Sequence, residues 1–197
     1  MKRLAAAVFC LLSVPVAAAG ATLYVDAAFG TPYSQIQDAI DDAGDGDTIL
    51  VFAGTYAPID YLGKDLVIIA DGGPLTTTID AAGSGPAVTF DNAEPSTSLL
   101  QGFTLTGGTG SDAGAGDVMG GGLVIRRDAQ PRISGNLITG NTAEYGGGLA
   151  VGAAAPSIYG NTIEGNTATE QGGGAWFQAD PANNGPTQFA CNLVRDN

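Results

Sequence analysis

The segment Gly120-Gly121-Gly122-Leu123-Val124-Ile125 returns as Gly146-Gly147-Gly148-Leu149-Ala150-Val151 and again as Gly172-Gly173-Gly174-Ala175-Trp176-Phe177, 26 residues on each time. A second unit follows each copy. Ile133-Ser134-Gly135-Asn136-Leu137-Ile138-Thr139-Gly140-Asn141 matches Ile158-Tyr159-Gly160-Asn161-Thr162-Ile163-Glu164-Gly165-Asn166 at an offset of 25, and Phe189-Ala190-Cys191-Asn192-Leu193-Val194-Arg195-Asp196-Asn197 at a further 31. The extra length of the last unit is the polar, Pro-rich run Asp180 to Pro186, which reads as a surface loop. Self-similarity at such a period means one supersecondary unit stacked on copies of itself.

The unit is not helical. Its apolar runs are three to five residues of Val, Ile, Leu and Thr, broken by Gly and Asn, too short for the helices of hairpin repeats. The regular leucines and helical half of a leucine-rich repeat are missing as well. A three-sided coil of short strands fits, with equivalent residues of successive coils about 4.8 Å apart. The fold class is therefore all-β, a parallel β-helix. Its inward ladders are Ile133, Ile158 and Phe189; Ile138, Ile163 and Val194; Leu123, Leu149 and Ala175; and Ile125, Val151 and Phe177. Leu137, Thr162 and Leu193 should face outward, as should Val124, Ala150 and Trp176. Asn136, Asn161 and Asn192, and Asn141, Asn166 and Asn197, fall at corners. There Asn tolerates left-handed backbone, and stacked amides can bond to one another. Cys191 stands where the other copies have Gly135 and Gly160, which predicts a tight, buried position for a small side chain. The Gly triplets allow close corners and are not phosphate loops, since no Lys-Ser/Thr follows them.

The mature chain opens on a cap. Thr22 to Asp26 reads as a strand. Ser34-Gln35-Ile36-Gln37 has the form of a capping box with Ser34 as N-cap. Ile36, Ala39, Ile40 and Ala43 then line one face of a short helix, and Gly44 stops it. Such a helix covers the end of a core that would otherwise lie open. Strands are expected at Thr48 to Phe52, Leu66 to Ala70, Thr77 to Asp80, Ala87 to Phe90 and Leu99 to Thr106.

Composition fixes location and excludes chemistries. Lys2 and Arg3, the apolar stretch Leu4 to Val16 and the small residues Ala17-Ala18-Ala19 form a secretory signal peptide, which Cys10 would leave with. The division is thus residues 1–19 signal peptide, 20–56 N-terminal cap and first coil, and 57–197 β-helix coils. No later segment reaches membrane-spanning length. With 20 acids against 7 Lys and Arg, and no His, the chain carries −13. No Ser-His-Asp engine, His-ligated metal or zinc protease motif can be built, and no basic stripe exists to grip nucleic acid.

The run Ser34 to Ile40, then Gly46-Asp47-Thr48-Ile49 and Gly54-Thr55-Tyr56, resembles the opening of secreted right-handed parallel β-helix repeat proteins of the pectin-lyase-like superfamily. Gln101 to Gly108 and the Gly-Gly-Gly and Gly-Asn repeats are similar to the same group. The repeats also resemble, more weakly, those of polymorphic outer-membrane proteins; of the second units only the one opening at Phe189 has their aromatic start. The likeness covers Thr22 to Asn197. It implies a right-handed winding and a secreted or cell-surface location, with association to an outer membrane as one form. The repeat motif completes at Asn197, and the expectation is that further coils and an anchoring region follow.

The superfamily includes polysaccharide lyases that hold calcium on one sheet and hydrolases that cluster Asp as acid and base, so catalysis has to be weighed. The outward strand positions carry no carboxylate cluster. Arg126, Arg127, Asp128 and Arg132, near Asp112 and Asp117, form the one mixed-charge neighbourhood, either a crude acid-base site or a solvated corner. Asp45 and Asp47 offer oxygen ligands to calcium, the alternative being a hydrophilic turn. Asp41 and Asp42 solvate the cap helix. Trp176 is a candidate to stack on a sugar or meet a protein. No catalytic residue, cofactor site or metal site is assigned. The reading is a secreted or cell-surface scaffold that binds a polysaccharide or a surface protein, without nucleic acid and without a resident cofactor. The alternative is a pectin-lyase-like carbohydrate-active enzyme with part of its site outside this chain.

Overall fold

In a computed structural model, residues 20–28, 31–112, 114, 116–178 and 185–197 are described. Residues 1–19, where a signal peptide is expected, and most of the Pro-rich loop lie outside these residues. The chain winds as a parallel β-helix, in the right-handed sense that parallel crossovers take. Its first sheet has seven strands, Thr22–Val25, Thr48–Val51, Val67–Ala70, Leu99–Gln101, Arg132–Ser134, Ser157–Tyr159 and Gln188–Ala190. The second has six, Gly54–Tyr56, Thr77–Asp80, Thr104–Thr106, Leu137–Thr139, Thr162–Glu164 and Leu193–Arg195. The third has five, Ile59–Asp60, Val88–Phe90, Leu123–Arg126, Leu149–Gly152 and Ala175–Gln178.

The register is the one the repeat alignment requires. Ile133 pairs with Ile158 and Ile158 with Phe189. Ile138 pairs with Ile163 and Ile163 with Val194. Leu123, Leu149 and Ala175 stack, as do Ile125, Val151 and Phe177. The ladders also run further toward the N-terminus than the alignment reaches, through Leu100 and Ile68 on the first sheet and Leu105 and Ile79 on the second. The expected strand Leu99 to Thr106 is therefore two strands. Gly102, at φ +84°, turns the chain between them, in the role that Gly135 plays one coil later.

Two corner readings need correcting. The left-handed residue is not the Asn but the one before it, with φ +64° at Gly135, +66° at Gly160 and +57° at Cys191. Cys191 is exposed rather than buried. A Cβ on Gly135 would come only within 4.0 Å of Gln101 Cγ, and one on Gly160 would meet nothing, so this position demands a backbone conformation and not a small volume.

The Asn side chains turn inward, and in the interior copies they are almost wholly buried. Asn136 Nδ2 donates to Asn161 Oδ1 at 3.1 Å and Asn161 Nδ2 to Asn192 Oδ1 at 3.0 Å. The second row repeats this, Asn141 to Asn166 and Asn166 to Asn197, both at 2.9 Å. Each acceptor oxygen also takes the backbone N–H of the Asn one coil earlier, and Asn161 Nδ2 reaches the Ile133 and Tyr159 carbonyls. The rows start on backbone, with Phe103 N–H on Asn136 Oδ1 and Gly108 N–H on Asn141 Oδ1. Corner amides that would be orphaned inside the coil are thus satisfied through side chains.

The coil is not simply three-sided. A fourth sheet, Ser111–Asp112, Val118–Met119, Thr142–Tyr145 and Thr167–Gln171, is an outward excursion that each Gly triplet brings back. A Cβ on Gly122 would stand 2.6 Å from the Gly148 carbonyl oxygen, and one on Gly147 2.7 Å from that of Gly173. Only glycine lets three such returns stack. The excursion changes an expected surface. Val124 and Ala150 do point away from the central core, yet they are only 1% and 0% exposed, whereas Trp176 stays half-buried.

The cap helix is Ile36–Asp42, and Ile36, Ala39 and Ile40 close the core. The capping box does not form. Gln35 is the N-cap and makes no side-chain cap bond. The glutamines instead tie the helix to the next coil: Gln35 Oε1 accepts from Ala57 N–H, and Gln37 exchanges bonds with the Asp60 backbone. At the other end Gly44 keeps a negative φ, and the carbonyls of Ile40, Asp41 and Ala43 are held by Lys64 Nζ at 2.6, 2.9 and 2.8 Å. A cation among the last carbonyls is the favourable sign for a helix C-terminus.

The amide rows set a graded expectation. Asn161→Ala removes the acceptor of the buried Asn136 backbone N–H and of one Asn136 Nδ2 hydrogen, the other staying on the Leu100 carbonyl, and should lower stability by about 2–4 kcal/mol in urea denaturation, whereas Asn192→Ala, at the last coil, should cost about 1 kcal/mol. Equal losses at the two positions would contradict a continuous row.

Candidate functional site

The mixed-charge neighbourhood forms only in part. Arg126 ends its strand, and the chain then turns through two left-handed residues, Arg127 at φ +54° and Asp128 at φ +65°. Arg126 Nη1 donates to the Asp112 carbonyl at 3.0 Å. The Asp112 carboxylate itself accepts from Gly114 and Gly116 N–H and orders its own loop. Asp117 lies near Tyr145 instead, where its charge, with burial and the charges of Glu170 and Glu144, raises the phenol above its usual range. Arg132 opens a strand of the first sheet.

The acid that the sequence reading missed is Asp91. Its Oδ2 takes Arg126 Nη2 at 3.1 Å and Arg127 Nη1 at 3.4 Å. Register would have found it, because Asp91 follows Val88-Thr89-Phe90 as Arg126 follows Leu123-Val124-Ile125. The Arg126 and Asp91 side chains are 17% and 19% exposed and Arg127 is 69% exposed, so the first contact is a sheltered pair and the second a surface one. Burial raises the Asp60 carboxyl, with the Asp91 charge adding to the shift and the Leu62 amide and Arg126 opposing it.

Beneath this corner Tyr61 packs on Phe90, ring centroids 4.0 Å apart, and donates to the Leu99 carbonyl at 2.7 Å. Nearby, the buried Glu94 carboxylate receives Gly63 and Asn92 N–H.

Beside the arginines is a pocket of about 180 Å³ lined by Met119, Arg126, Arg127, Gly152, Ala153 and Gln178. Its origin is a gap in a ladder. Arg126, Gly152 and Gln178 are in register on three successive strands, and the middle one has no side chain. The row beside it on the same face is Val124, Ala150 and Trp176. Trp176 meets the Tyr145 ring at 5.3 Å and 49°.

The remaining candidates serve the fold. Asp47 accepts from Ala21 and Gly44 N–H through its two oxygens, and Asp45 from Asp65 N–H, which is the turn alternative to a calcium site. Asp41 accepts from Gln37 and Asp42 from the Tyr33 hydroxyl. Both Asn rows lie inside the wall, their amides engaged coil to coil. Among the described residues no group of three or more Cys, Asp or Glu is placed to hold a metal ion, and no helix is long and apolar enough to cross a membrane.

Comparison with known protein families gives no match, and none of the curated proteins matches either. Among solved structures, the chain is similar to pectin methylesterase from carrot, at 16% identity and a TM-score of 0.48 over 74% of this chain and 53% of the esterase. The chain thus spans about half the length of that neighbour.

Burial and the Glu94 charge hold the Tyr61 phenol well above its usual range, which is about 10 in the unfolded chain. A raised folded value favours folding fully below that pH, and the contribution is lost as pH rises toward the folded value. Thermal melts from pH 8 to 11 should therefore fall more steeply for the wild type than for Tyr61→Phe. Parallel alkaline limbs would show that Tyr61 does not carry this dependence.

Proposed function

We propose that this chain is a secreted or cell-surface binding scaffold whose ligand-facing region is the outer side of the third sheet. The observation that carries this reading is a pocket on that side, lined by the Arg126 and Arg127 side chains and Gln178, with Trp176 in the neighbouring row of the same face. These groups hold a ligand; they do not supply an acid and a base. The acids at the same corner are already committed, Asp91 to both arginines and Asp112 to its loop amides. An aromatic ring with a polar rim suits a saccharide or a protein edge. The regular coil holds these groups at fixed spacing, and the acidic balance, −13 overall, keeps a secreted chain soluble.

The partner class proposed is a polysaccharide, with a surface protein as the other form of the same role. Immobilised acidic and neutral polysaccharides should retain the protein, and Trp176→Ala should weaken retention about tenfold without lowering the melting temperature. Depolymerisation of an acidic polysaccharide that EDTA abolishes would replace the scaffold by the pectin-lyase-like enzyme. Retention unchanged in Trp176→Ala would remove this face from the proposal.

A further inference from the structure

We infer that Asp71 is a site of spontaneous covalent modification, at which the Asp71–Gly72 linkage rearranges through a cyclic imide to an isoaspartyl linkage. This goes beyond the binding role and uses another part of the fold, the corner between the first and second sheets. The sequence has two Asp-Gly pairs, Asp45-Gly46 and Asp71-Gly72. Glycine after an aspartate leaves the attacking amide nitrogen unshielded by a side chain. Both pairs lie in turns, and all four residues are exposed. Solvent access therefore does not separate them. Hydrogen bonding does.

At the first pair both reacting groups are tied to one residue. Asp45 Oδ1 accepts from Asp65 N–H at 2.9 Å, and Gly46 N–H donates to the Asp65 carbonyl at 2.7 Å. At the second pair both are free. Among the described residues no donor reaches the Asp71 carboxylate, and no acceptor takes the Gly72 N–H. The neighbouring bonds hold the corner and leave the reacting atoms alone: Asp71 N–H donates to the Val51 carbonyl at 2.9 Å and Gly73 N–H to the Ala70 carbonyl at 3.3 Å. A Cβ on Gly72 would run into Thr76 Oγ1, so the position is closed to a side chain as the turn stands.

The step balances without a co-reactant. The Gly72 nitrogen bonds to Asp71 Cγ in its carboxylic acid form. One water leaves, made of the carboxyl hydroxyl and the amide hydrogen. Water then reopens the ring. Where it breaks the bond between the nitrogen and the former main-chain carbonyl carbon, the chain runs on through Cγ and the old carbonyl becomes the free carboxylate. Nothing is oxidised or reduced, and the mass is unchanged. The backbone gains one methylene, about 1.5 Å of chain. It enters between Asp71 and Gly73, whose N–H groups tie this corner to Val51 and Ala70, so the corner does not keep both bonds as they are.

The experiment is incubation of the full chain at mildly acid pH, about 5, where carboxylic acids are partly protonated. The chain is then digested, and isoaspartyl peptides are separated from their parents of equal mass and located by electron-transfer fragmentation. Isoaspartate should build up at Asp71 about tenfold faster than at Asp45, whose two reacting groups must first give up their bonds. The same incubation in guanidinium chloride removes both turns, and there the two sites should react at similar rates. The contrast assigns the selectivity to the fold and not to the dipeptide. Asp71→Glu keeps the charge and demands a less favourable six-membered ring. It should give no product at position 71 and leave the rate at Asp45 unchanged. A ratio of Asp71 to Asp45 no higher in the folded chain than in guanidinium chloride, or no isoaspartate at Asp71, overturns the inference.

Discussion

Coil-to-coil register is the constraint on which the rest of the structure depends, and the buried amide rows enforce it. Parallel strands of three or four residues bring few hydrogen bonds each, and a slip of one residue would turn every inward Ile or Leu outward. The rows at Asn136, Asn161 and Asn192 and at Asn141, Asn166 and Asn197 allow no slip, because each amide accepts from the backbone and side chain of the coil before it. A displaced coil would leave two donors unsatisfied at each corner, inside the wall where water does not replace the bond.

What the sequence made legible follows from that constraint. Pattern that recurs in register could be read directly: Ile133 over Ile158, Leu123 over Leu149, the cap helix face of Ile36, Ala39 and Ile40. What escaped was anything decided by a single contact between unlike residues. Lys64 reaches back more than twenty residues to the helix carbonyls, and Asp91 meets Arg126 at the next rung of two neighbouring strands; neither belongs to a row of like residues. The Cys191 reading failed for a related reason. Gly at Gly135 and Gly160 signals either volume or backbone, and only φ distinguishes them.

The fourth sheet had a signal that was present and underused. Gly triplets at a 26-residue period fit corners, yet three consecutive glycines exceed what one corner needs. They mark a return path lying so close to its neighbours that a Cβ on Gly122 would touch the next coil's carbonyl. That return puts a second layer over Val124 and Ala150 and so decides which part of the third sheet faces solvent. The candidate site is therefore a consequence of the glycines rather than of the charged residues that first drew notice.

Pockets are hard to make on a solenoid, because ladders of similar side chains give flat or ridged faces. A cavity needs a rung whose side chain is absent while its neighbours keep theirs. At this corner the sequence departs from its own repetition in that way: Arg126, Gly152 and Gln178 are unlike residues at equivalent positions, where the rows beside them stay apolar. A scaffold selected only for stacking would gain from an ordinary strand residue at the middle position, since a glycine in a strand costs about 1 kcal/mol and contributes no packing. Retaining the gap beneath a guanidinium whose Nε has no partner is a local loss of stability, and losses of this kind concentrate where a ligand is bound.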